Sequence, residues 1–193
     1  MSVQDRLDRR WQAEIGTLAE LASRSGGRLC LRSASAIRVQ LEMECISAFL
    51  LRGEDRPAVY CAWHRVSLAR CAGWPAIPVE AAHDAPAGIW HPNIAMPSGA
   101  MEPDQPVAAM QQLLGALKPG VMCYGEAGPE TRLVDVVLHI YNMLGFRYGA
   151  FSRSGEHLNL AALAWVNEAL RADPSFFPLE RRSLVARCPG GKP

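Results

Sequence analysis

From Ile37 to Glu44, apolar and polar side chains alternate at every position. Ile37, Val39, Leu41 and Met43 stand against Arg38, Gln40, Glu42 and Glu44. A period of two puts each set on its own face of a β-strand, so the chain must build a sheet with one dry face and one wet face. Upstream, Leu7, Trp11, Ile15, Leu18 and Ala22 recur at steps of three and four. That spacing predicts an amphipathic helix over 3–24, with Arg6, Arg9, Arg10 and Glu14 off the stripe and Gly26-Gly27 ending it. Downstream, Ile46 to Leu51 forms a short apolar run and residues 53–57 a turn. Val59, Cys61, Trp63, Val66 and Leu68 then mark one or two further strands. A leading helix followed by a short antiparallel meander is the consequence.

Residues 73–92 are rich in proline and aromatics and read as ordered irregular structure with a short strand at 77–81. A loop over 95–106 precedes a short helix at 107–117, carried by Met110, Leu113, Leu114 and Leu117. A second major helix is expected over 131–144, with Leu133, Val136, Val137, Ile140 and Leu144 facing inward. After a loop at 145–156, residues 158–170 read as a third helix, which Asp173-Pro174 ends. The fold class is α+β. The expected organisation is one domain over 1–172, with an insert at about 95–118. Residues 173–193 form a C-terminal extension that carries Phe177, Leu179 and Leu184 and whose end is expected to be disordered.

A net charge of +1 argues against a globally basic nucleic-acid surface. No apolar run is long enough to span a membrane and no secretory leader is visible, so a cytoplasmic protein is expected. Its six cysteines are then reduced thiols, most of them buried and inert. Cys61 and His64 form half of a metal-binding spacing without a second half, so no metal is expected. The absence of a glycine-rich phosphate loop points to no cofactor.

Four short signals remain, in order. They are Trp74-Pro75 with Pro78; Ile89-Trp90-His91-Pro92-Asn93-Ile94; Gly120-Val121-Met122-Cys123-Tyr124-Gly125; and Leu158-Asn159-Leu160-Ala161-Ala162 with Trp165. In this order, over residues 5–170, the chain resembles the ubiquitin-conjugating enzyme (UBC-like) family in a divergent bacterial form. The resemblance implies an N-terminal helix, a four-stranded antiparallel meander and C-terminal helices. In the family the cysteine follows the His-Pro-Asn triplet closely, where this chain has Met101 or Glu102. Cys123 stands thirty positions beyond Asn93, so the match requires an insertion. Surface loops accept one because closure entropy grows only logarithmically with length.

The resemblance further implies a chemistry. Cys123 would take the C-terminal acyl group of a ubiquitin-like modifier as a thioester from an adenylating (ThiF-like) activating enzyme. It would then pass that group to an amine of a target protein, in bacteria often within antiviral defence. The Asn93 amide would stabilise the oxyanion or brace the loop that does. His91 and Pro92 would hold the loop's shape. Arg6, Arg9 and Arg10 would dock the activating enzyme. Ser152, Glu156 and His157 are candidates for lowering the acceptor amine's pKa. Trp74-Pro75 and Pro78 are architectural, and Leu158, Ala161, Ala162 and Trp165 are helix-packing residues. Two other readings compete. One is a catalytically inactive UBC-like or RWD-like module that binds a ubiquitin-like protein, if Met101 or Glu102 holds the site position. The other is a cysteine hydrolase pairing Cys123 with His91 or His139 as base.

Overall fold

A computed structural model describes residues 2–51, 54, 56–76, 79–84, 89–95, 120–124, 128–147 and 158–185. Helix α1 spans Val3–Arg24. It opens on a reciprocal cap: Asp5 N donates to Ser2 Oγ (3.0 Å), and Ser2 N donates to the Asp5 carboxylate (2.7 Å). Its stripe buries Trp11, Leu18 and Leu21, with Leu7, Ile15 and Ala22 packed alongside. Gly26 (φ 64°) and Gly27 (φ 84°) then take left-handed conformations that a side chain would strain. They turn the chain into the sheet.

Strands β1 (Leu29–Ala34), β2 (Arg38–Leu50), β3 (Pro57–Ala69) and β4 (Glu80–His83) form one antiparallel sheet in sequential order. Strand β2 joins the alternating segment to the apolar run after it, because no turn residue interrupts the period between Glu44 and Ser47. It pairs with β3 without a break from Arg38↔Ala69 to Leu50↔Pro57. Val39, Leu41, Met43 and Cys45 of β2 are buried, and so are His64, Val66 and Leu68 opposite them on β3. The other face is wet, with Glu42 bonded to both Arg32 and Arg65. The expected strand at 77–81 lies further along, at Glu80–His83. Strand β1 has no counterpart in the periodicity, because only Leu29 among its residues is fully buried and its register shifts between Leu31 and Ser33.

Helix α2 (Leu133–Leu144) lays Val136, Val137, Ile140 and Leu144 into the main core, packing on β2 and on α1. Helix α3 (Leu160–Ala172) closes a second cluster, in which Ala162 and Val166 meet Ala48, Trp90 and Phe146. The segment 173–185 is integral to the fold. Leu184 enters the main core, while Phe177 and Leu179 pack on the second cluster. The Glu180 carboxylate is fully buried and accepts from Ile46 N (3.0 Å), Arg182 N (2.8 Å) and the Arg182 guanidinium. The expected helix at 107–117, Pro78, Met101, Glu102, Ser152, Glu156, His157 and the chain end from 186 lie outside the described residues.

Candidate functional site

Two short segments extend the sheet beyond β4. Ala82 bridges Val121, with Met122 N donating to Ala81 O (3.0 Å) and His83 N to Gly120 O (2.8 Å). On its other side the 120–123 segment pairs with 93–95. Ile94 bridges Met122, Cys123 N donates to Asn93 O (2.9 Å), and Ala95 N donates to Val121 O (2.9 Å). Gly120 makes the entry turn in a left-handed conformation (φ 87°), where glycine is favoured. The pairing sets Asn93 directly opposite Cys123. Residues opposite each other in an antiparallel pair share a face, with Cβ atoms about 5 Å apart. Ile94 and Met122 are buried in the main core, whereas their neighbours Asn93 and Cys123 are each half-buried. Cys123 is a free thiol.

The triplet that carries Asn93 is a tight turn tied into the fold at three points. Ile94 N donates to His91 O (3.2 Å), closing the turn. Asn93 N donates to His91 Nδ1 (3.0 Å), which leaves the ring proton on Nε2. That Nε2–H donates to Met143 O (2.7 Å), in the last turn of α2. The His91 ring is fully buried and tilted against Phe146 at 4.3 Å. Both ring nitrogens are committed to holding the loop. His91 is therefore shaped as scaffold, and a base role for it toward Cys123 has no free nitrogen to work with. Buried Pro92 presents its carbonyl to Leu158 N (2.7 Å) and Asn159 N (2.9 Å) at the start of α3.

Around the thiol, Tyr124 donates its hydroxyl to Val79 O (2.6 Å), and burial pushes that hydroxyl up to about 12. His139, exposed on α2, places Nδ1 3.4 Å from Tyr124 O, one residue beyond Cys123. The arginines of α1 divide. Arg6 and Arg9 are exposed, with Arg9 Nε donating to Asp5 O on its own helix (3.4 Å). Arg10 is held within the fold. Its guanidinium donates to Pro129 O (2.7 Å) and lies 5.2 Å from the centre of the Trp74 ring. Trp74 in turn meets Trp11 edge-on and Arg70 across its face, as an architectural residue does. Of the expected packing residues near α3, Ala162 is fully buried, but Ala161 faces solvent.

Cys61 and His64 point to opposite faces of β3. Cys61 is exposed and donates to Glu44 (3.2 Å). His64 is buried against His83 (3.3 Å) and Cys45 O (3.3 Å). Among the described residues, no three His, Cys, Asp or Glu side chains converge to hold a metal ion. No described helix is long and apolar enough to cross a membrane. The chain matches no known family model and no curated protein in sequence.

Proposed function

We propose that the chain is a ubiquitin-conjugating-like enzyme that carries the acyl group of a ubiquitin-like modifier on Cys123 and passes it to an amine. The observation that supports this reading is the Asn93–Cys123 pair. A carboxamide and a free thiol, thirty positions apart in sequence, occupy opposite places in one antiparallel pairing, and both are half-buried. Loading requires the Cys123 thiolate to attack a thioester already activated by an adenylating partner. The new C–S bond forms as the partner's sulfur departs with the electron pair, so no strong base is needed. Discharge requires an amine to attack the same carbonyl, and the oxygen that becomes negative in that step is served by a positioned amide donor. Asn93 is the carboxamide at hand. The exposed Arg6 and Arg9 favour an acidic docking partner, while Arg10 is already engaged.

The test is adduct formation with ATP, an adenylating enzyme and a ubiquitin-like protein. A species sensitive to thiol reductants is expected with the native chain and absent with Cys123→Ala. Asn93→Ala should still load, but should discharge onto free lysine about 10²–10³-fold more slowly. An adduct that survives Cys123→Ala ends the reading at its central residue.

A further inference from the structure

The peptide that links Pro92 to Asn93 is gripped at both of its polar atoms. Its N–H, that of Asn93, donates to His91 Nδ1 (3.0 Å), and His91 is anchored to the last turn of α2. Its carbonyl, that of Pro92, accepts two main-chain N–H groups at once, from Leu158 (2.7 Å) and Asn159 (2.9 Å). Both donors belong to the N-terminal edge of α3, where backbone N–H groups have no partner within the helix. Asn159 is the cap of that helix. It has extended backbone (φ −139°, ψ 96°), and its Oδ1 accepts Ala162 N (3.0 Å). The same residue therefore closes the first turn of α3 with its side chain and holds the site loop with its main chain. Its Nδ2 is buried and has no hydrogen-bond partner among the described residues, so the working atom of the side chain is the oxygen.

From this we infer that Asn159 is a positioning residue. By capping α3 it holds the Leu158 and Asn159 donors on the Pro92 carbonyl, and through that peptide it sets the orientation of Asn93 opposite Cys123. The site loop sits between the end of one helix and the start of the next. Loss of the cap frees the start, and the peptide plane can then rotate about the remaining His91 contact. The side chain of Asn93 moves with that plane.

The activity arm of the test rests on the proposed function; the second arm does not. Asn159→Ala removes the cap, and Asn159→Ser keeps a capping oxygen. Ser2→Ala removes the equivalent cap from α1 and serves as the matched control. Thioester formed beforehand is discharged onto a series of free lysine concentrations after ATP is depleted. Asn159→Ala is expected to lower the rate at saturating lysine on the order of tenfold to a hundredfold, with the half-saturating lysine concentration unchanged. Asn159→Ser and Ser2→Ala should discharge like the native chain. Native rates in Asn159→Ala, or an equal loss in Ser2→Ala, overturn the inference. On the protein alone, hydrogen exchange of the Asn93 and Leu158 main-chain amides is expected to quicken in Asn159→Ala and in neither other variant. Unchanged exchange at those two amides overturns the inference too, whether or not a thioester is ever formed. If the native chain never loads a modifier, the proposed function falls and the exchange result alone decides the role of Asn159.

Discussion

Two buried histidines show how one residue type serves different ends. His91 is neutral because its neighbours use it as one acceptor and one donor. His64 is also neutral, with Nε2 on Cys45 O and Nδ1 on His83. Burial, and then the neighbouring His83, lower its pKa from 6.5 to about 4, against the smaller opposing pull of the Cys45 carbonyl. In the unfolded chain the same ring takes up a proton near pH 6.5. Stability is therefore full above that pH and is lost as pH falls toward 4. Between pH 7.5 and pH 5 the unfolding free energy should shrink by roughly 2 kcal/mol from this ring alone. Urea titrations at the two pH values check this, with His64→Leu as the chain in which the dependence flattens. The same fall in the variant would assign the effect elsewhere.

At the scale of elements, Gly145, just past the end of α2, packs against the C-terminal segment at Glu180. Its backbone needs no glycine, at φ −84°. Its space does, since an added Cβ would collide with Glu180 Cβ, and Glu180 N donates to Gly145 O (3.0 Å). Gly145→Ala should push the Glu180 carboxylate off Ile46 and Arg182 and cost about 1–3 kcal/mol, read as a lowered urea midpoint. An unchanged midpoint would mean the segment yields freely. The elements with strong periods were legible in the sequence: α1 to the residue, β2 and β3 in place, α2 and α3 within two residues of their starts. Strand β1 was not, because an edge strand with one fully buried side chain has almost no period to read. Nor was the integration of 173–185. It depends on Glu180 meeting a main-chain N–H 134 positions away, and no local pattern encodes such a contact. Within the candidate site, the flanking motifs singled out Asn93 and Cys123, and the structure pairs their main chains. The clamp on Pro92 was not, because main-chain donors leave no mark in side-chain identity.

Across the whole molecule, the sheet does more than the core requires. Its four strands are continued by 120–123 and then by 93–95, so the thiol and the carboxamide ride on the outer rungs of a sheet whose inner rungs are set by the apolar alternation of β2 and β3. Buried Ile94 and Met122 tie those outer rungs to the same core as Trp11 and Ile140. The segments that carry Asn93 and Cys123 are therefore anchored in the hydrophobic interior, as a preorganised site requires.

One bond in this arrangement has a wider bearing. Gly120 N donates to Ala95 O at 2.8 Å, so two residues twenty-five positions apart in sequence are joined main chain to main chain. Counting along the backbone therefore misjudges how near Asn93 and Cys123 lie, because that bond and the Cys123 N to Asn93 O bond close the pairing whatever the number of residues between. Excising 96–119 and bridging Ala95 to Gly120 with a short turn should leave the melting temperature within a few degrees and Cys123 as open to alkylation as before. Loss of folding on excision would show that the excised segment is a structural part of the domain.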